Sequence, residues 1–234
     1  MKIITYATHS EGMFEELTST GLVKVLGFGK KWNGFMDKFI GVLEYIETRP
    51  DYELVVFVDG FDSKINKNLD NLEEVFNSLH CKILISHENK NGISNYLPNF
   101  IHSYIIKKVF GTCERGQTAN TGLYMGRVKE LKLVLKTLLN EKSDDDQRSF
   151  NSVCSKFPFI RVDTDNVIFE NCSHYNDPSN AYFVQLPATI TFNRIIRSMS
   201  EYSKYFVLEL FVLVLVLVLF IFFLYNQLKR SEFS

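Results

Sequence analysis

Asp59-Gly60-Phe61-Asp62 places two carboxylates three positions apart around a glycine, immediately after the solid β-branched and aromatic run Leu54-Val55-Val56-Phe57-Val58. Such a run reads as a buried central strand. Ligands of open α/β sheets gather at the carboxyl ends of their strands. Two acids turning about a tight glycine can face one point. Hard divalent cations such as Mg²⁺ or Mn²⁺ take oxygen ligands and bridge carboxylates to substrate phosphates. The alternative is a plain turn whose acids cap the next element. The three-residue spacing argues against a phosphatase of the D-x-D-x-T type.

Three further segments carry polar chemistry. Asp144-Asp145-Asp146-Gln147 sets adjacent acids at a helix start. They either cap and complement the helix dipole, or hold an acceptor hydroxyl and act as base. The stretch from Gly27 to Lys38 combines glycines, Lys30, Lys31 and the flat face of Trp32. That suits a nucleotide diphosphate, although it is no Walker sequence. Ala119-Asn120-Thr121-Gly122-Leu123-Tyr124-Met125-Gly126 is a polar turn feeding a small-residue strand, able to present an amide to a sugar.

The elements that must position these residues follow from periodicity. Strands are predicted at Lys2 to Ala7, Leu22 to Leu26, Leu54 to Val58, Lys82 to Ser86 and Ala119 to Met125, with short ones near Val162, Val167 to Phe169 and Tyr182 to Val184. Helical spacing covers Glu11 to Leu17 with Ser10 as cap, Phe35 to Glu47, Leu69 to Leu79, Val128 to Leu139 and Gln147 to Lys156. Asn89 to Arg115 is less regular, an inserted loop and helix. Strand–helix alternation implies a doubly wound sheet.

The formal net charge of −1 removes nucleic acid from the expected partners, and 14% aromatic residues supply a substantial core. Four cysteines (Cys81, Cys113, Cys154, Cys172) contain no C-x-x-C pair and read as small buried hydrophobes of a reducing compartment. The apolar run at Ile3 to Ala7 is too short for a secretory signal. Tyr205 to Tyr225 is a nearly uninterrupted apolar stretch with aromatic and basic borders, predicted to be a single membrane-spanning helix. The expectation is a catalytic domain over residues 1–200 and a tail anchor over 205–225, with the domain on the cytosolic face. Asn171-Cys172-Ser173 is a formal glycosylation sequon that matters only on a lumenal face.

Taken in register, five segments resemble the glycosyltransferase domain of procollagen lysyl hydroxylases and the related collagen galactosyltransferases. They are Tyr6-Ala7-Thr8, Leu26 to Gly34, Val58 to Asp62, Asn120 to Gly126 and Asp144 to Gln147. The resemblance implies a GT-A-like, doubly wound mixed sheet, a UDP-sugar donor, Mn²⁺ or Mg²⁺, and transfer of galactose or glucose to a hydroxyl acceptor, of hydroxylysine type in that family. It implies that Asp59 and Asp62 hold the metal, that Thr8 and Trp32 contact the uridine, that Lys38 lies near the donor, and that Asp144 and Asp145 face the sugar or acceptor. The family's third metal ligand is a late histidine, and here Gln185 stands in that place, with His174 upstream. That departure leaves a second expectation, a catalytically impaired nucleotide-sugar-binding or interaction module held at a membrane.

Overall fold

In the computed structural model, which describes residues 1–89, 96–141, 143, 145–172, 178–186 and 200–231, the chain divides into two units, Met1–Thr189 and Ile190–Ser234. The first is built on a six-stranded sheet in the order β2-β1-β3-β6-β5-β7. Its strands are β1 (Lys2–Tyr6), β2 (Val23–Leu26), β3 (Leu54–Val58), β5 (Ile83–His87), β6 (Ala119–Arg127) and β7 (Ile160–Asp163). All run parallel except β6, which is antiparallel to both β3 and β5. The fold is therefore a mixed α/β sheet.

Alternation along the strands sends side chains to opposite faces. Ile4, Tyr6, Val55, Phe57, Ile83, Ile85 and Tyr124 face α2 (Met36–Glu47), α5 (Val128–Leu139) and α6 (Asp146–Cys154). Ile3, Val56, Val58, Leu84, Leu123 and Met125 face α1 (Phe14–Ser19), α3 (Leu72–Ser78) and a small second sheet. Every side chain of β3 is buried, as its β-branched run requires. The bounds of β3 and α5 match the sequence reading, while α1 begins at Phe14 after Met13, with no side-chain cap from Ser10. The irregular segment contains α4 (Asn99–Phe110).

The second sheet is foreshadowed only in part: the short strands expected near Val167 to Phe169 and Tyr182 to Val184 overlap two of its members, while the third and their pairing are not legible. It is three-stranded, β4-β9-β8, from β4 (Ser63–Ile65), β8 (Phe169–Asn171) and β9 (Phe183–Gln185). Strands of three residues leave almost no periodic signal in a sequence.

One expectation is corrected here. Cys113 and Cys154, separated by 41 positions, form a disulfide between the exit of α4 and the end of α6, so they are not isolated small hydrophobes. Cys81 and Cys172 are free. In the second unit, helix α7 spans Val207–Ser231. No single helix among the described residues is long and apolar enough to cross a membrane. Ser200–Glu209 and Val214–Phe222 meet that test only together, bent by 52° at the break between them.

Candidate functional site

The parallel strands β1, β2, β3 and β5 end along one edge of the sheet, and antiparallel β6 begins there. Asp59 follows β3 directly, and its backbone N–H donates to the carbonyl of Gly122 at 2.8 Å. Its Oδ1 accepts the Phe61 N–H at 3.1 Å, which curls the Asp59-Gly60-Phe61-Asp62 loop. The loop after β1 packs against this turn. Gly12 sits at φ +58°, and an added Cβ would lie 2.2 Å from the Phe61 carbonyl oxygen, so only glycine fits there.

Asp62 enters β4, and β4 pairs antiparallel with β9 in the register Ser63 opposite Gln185. The Leu186 N–H donates to the Asp62 carbonyl at 2.7 Å. This pairing brings a residue 123 positions away onto Asp62: Nε2 of Gln185 lies 3.1 and 3.2 Å from the two carboxylate oxygens. The other amide atom, Oε1, is buried with no hydrogen-bond partner. The orphaned oxygen decides whether a cation fits. An amide turned half round exchanges its oxygen and nitrogen. With a cation on Asp62, that turn would direct a carbonyl oxygen at it and remove the orphan. Asp62 and Gln185 would then offer oxygen donors of the kind Mn²⁺ or Mg²⁺ takes, with Asp59 at the start of the same loop. Among the described residues no third His, Cys, Asp or Glu joins them.

An irregularity in β6 assembles the rest. In its pairing with β5 the register jumps from Ile85 opposite Tyr124 to Ser86 opposite Asn120. Such bulges re-aim side chains. Thr121 turns inward and donates to Oδ2 of Asp146 at 2.6 Å. Lys38, from α2, closes a tight ion pair with the same oxygen. Both partners are buried. Burial alone would lower the Lys38 ammonium, but the charges of Asp146, Asp59 and Asp62 and the hydrogen bond to Asp146 outweigh it and hold the group above the usual lysine value. Lys38 therefore stays a cation under the acidic edge.

On the other side of the bulge, Asn120 donates through Nδ2 to Oε2 of Glu88 at 2.6 Å, and Gln147 donates to the same oxygen at 2.9 Å. Burial pushes the Glu88 carboxyl above its ordinary value. The two amide donors oppose the shift and the Asp145 charge adds to it. Glu88 follows β5 as Asp59 follows β3, with β6 between them. At ordinary strand spacing that separates the two positions by about 10 Å. Glu88 escapes sequence reasoning because a lone Glu in a polar stretch carries no signal. The run of strand residues ending one position before it is the available clue.

The remaining expected residues fall as follows. Asp145 caps α6, its Oδ1 accepting the Arg148 N–H at 2.7 Å. Asp146, which the spacing groups with solvated acids, is buried. Asp144 and His174 lie outside the described residues. Thr8 lies two positions beyond β1, where its carbonyl accepts the Gly29 N–H at 2.9 Å and folds the glycine loop back onto it. Trp32 is 44% exposed and rests against Tyr6 and Phe35, with ring centroids at 6.3 and 6.0 Å. Tyr6 itself fits only because Gly27 and Gly41 carry no Cβ on either side of its ring. Lys30 leaves the loop to pair with Glu44 at 3.4 Å. The sequon is spent: Asn171 is buried, and its Nδ2 donates to Ser86 Oγ and the His87 carbonyl, so this fold has no place for a glycan there.

No family model matches the chain. No curated protein matches it either. Among solved structures, the galactosyltransferase LgtC in complex with donor and acceptor sugar analogs is similar over 88% of this chain and 95% of that one, at 11% identity and a TM-score of 0.46. A glycosyltransferase involved in glycosylation of the major capsid of PBCV-1 is similar over 84% and 97%, at 15% identity and a TM-score of 0.48. An active-site mutant of LgtC gives 88% and 95%, at 10% identity and a TM-score of 0.44.

Proposed function

We propose that the chain is a GT-A-type glycosyltransferase that moves a hexose, galactose or glucose, from a UDP-sugar to a hydroxyl acceptor with the help of Mn²⁺ or Mg²⁺. The observation that carries this reading is the contact between Gln185 and Asp62, with the second amide atom of Gln185 orphaned, in the loop that Asp59 opens at the carboxyl edge of the sheet. When bound there, a divalent cation neutralises charge developing on the diphosphate leaving group. Trp32 offers a partly exposed ring for the uracil, and the Thr8–Gly29 turn lines the same edge. Lys38 adds fixed positive potential beneath the acids. Its partner Asp146 and the Thr121 hydroxyl hold it in place, so it needs no reorganisation as charge develops.

The acceptor side falls to Glu88, Asn120, Gln147 and the start of α6, where Asp144 and Asp145 are expected to act. Glu88 has one oxygen held by two amides. A carboxylate so fixed is suited to take the hydrogen bond of an incoming hydroxyl. The hydroxylysine-type acceptor belongs to the sequence resemblance alone.

A second reading, a binding module without turnover, is favoured by one feature: Gln185 is a neutral ligand where the resemblance calls for a histidine, and a neutral amide oxygen holds Mn²⁺ less well than imidazole. Donor turnover separates the two, since a module binds UDP-sugar and releases no UDP.

Membrane attachment through the apolar C-terminal segment is part of the proposal. The sequence reading puts the domain on the cytosolic face. The Cys113–Cys154 disulfide favours an oxidising compartment, because such bonds are rare in the cytosol. Protease protection in intact microsomes decides between them. Glycan addition at the buried Asn171 does not.

A further inference from the structure

Helix α4 buries little of itself. Across its twelve residues only Val109 is fully buried. Phe100 is 75% exposed and Tyr104 51% exposed, and Tyr96, just ahead of the helix, is 89% exposed. Phe100, Tyr104 and Lys108 follow one another at intervals of four, so they share one helical face, with Lys107 beside them. The Lys108 ammonium lies 5.4 Å from the Tyr104 ring centroid. Single exposed apolar residues are ordinary. An aromatic stripe ending in two lysines is the composition of a helix that lies in a headgroup layer, with rings at the boundary and cations on anionic lipid.

We infer that the Phe100–Tyr104–Lys108 face of α4 rests in the headgroup layer of an anionic membrane. The inference builds on membrane attachment by the C-terminal segment, which keeps a bilayer at high effective concentration beside the domain. Lysines near an anionic surface are drawn to it electrostatically. The C-terminal end of α4 meets α6, because Arg148 donates to the carbonyls of Lys108 and Val109, and α6 begins with Asp146 and Gln147. A bilayer under α4 therefore lies one helix away from the start of α6.

The test uses the full chain in vesicles of phosphatidylcholine with a quarter phosphatidylserine, the acyl chains brominated close to the headgroups. In a Trp32→Phe background, single reporters are placed by Phe100→Trp, Tyr96→Trp, Leu133→Trp on α5 and Val214→Trp in the apolar tail. The expected result is strong quenching at position 214, at least twofold quenching at 100 and 96, and none at 133. Lys107→Glu with Lys108→Glu should abolish the quenching at 100 and leave 214 unchanged. Quenching at 214 with none at 100 and 96 overturns the α4 contact alone, and so would a protein occupant, which leaves these reporters unquenched. Equal quenching at 100 and 133 also overturns it, as general adsorption. No quenching at 214 removes membrane attachment itself. Tyr96 precedes the helix and is almost fully exposed, so its reporter stands even where Phe100→Trp disturbs folding.

Discussion

The side chain of Gln185 lies flat on Gly122: a Cβ built there would meet Oε1 at 2.3 Å and Nε2 at 2.4 Å. The second sheet thereby presses its amide against the start of β6, one hydrogen bond from Asp59. Gly122→Ala should push Gln185 off Asp62 while sparing the core. The expected outcome is a loss of Mn²⁺-dependent UDP binding of tenfold or more by calorimetry, with a folded circular dichroism spectrum. Unchanged affinity would show that Gln185 takes no part in the site.

Lys38 and Asp146 form a buried ion pair, and removing one partner of such a pair costs about 3–5 kcal/mol because the other charge is stranded. Lys38→Met should therefore destabilise the domain by about 3 kcal/mol in urea unfolding. The double variant Lys38→Met with Asp146→Leu should recover most of that loss. Donor turnover should stay low in both, because the fixed cation under the acids is gone.

Glu88 supplies a pH signature. Its folded carboxyl titrates above the ordinary glutamate value of about 4.3, so the folded state holds the proton more tightly than the unfolded one. Stability from this group is present below about pH 4.3 and is lost as pH rises through the folded value. Glu88→Gln keeps an oxygen to accept from Asn120 and Gln147 and removes the charge. It should raise the melting temperature at pH 7 and have no such effect at pH 4. The same substitution should depress UDP release without altering UDP affinity.

The disulfide ties the exit of α4 to the end of the helix that carries Asp145 and Asp146. Closing a loop of 41 residues stabilises by about 4 kcal/mol in the chain-entropy account. Reduction should lower the melting temperature by several degrees, and Cys113→Ala with Cys154→Ala should reproduce the shift and abolish the response to reductant. A melting curve indifferent to reductant would show that the bond is absent or carries no stability.

How much is legible in the sequence depends on the length of the signal. The β-branched run of β3 and the apolar stripe of α5 are long and periodic, and both appear with the expected bounds. Asp59 and Asp62 are visible because an acid pair at a strand end is local. Gln185 is placed by resemblance, but its partnership with Asp62 comes from the pairing of β9 with β4, a three-residue strand that leaves no signal in the sequence. Asp146 cannot be told from its acidic neighbours, since only the tertiary approach of α2 and the β6 bulge selects it for burial. Cys113 and Cys154 carry no spacing rule. The apolar tail reads as one span, and among the described residues two segments, Ser200–Glu209 and Val214–Phe222, meet the length and hydropathy requirement only together.

The most direct test is UDP release by the detergent-solubilised full chain from UDP-galactose and UDP-glucose, with and without Mn²⁺, beside Asp59→Ala and Asp62→Ala. Release that requires Mn²⁺, prefers one donor and falls at least a hundredfold in both variants is the expected result. Wild-type protein that binds UDP with Mn²⁺ yet releases none from either donor would contradict transferase chemistry at this site and leave the binding module standing.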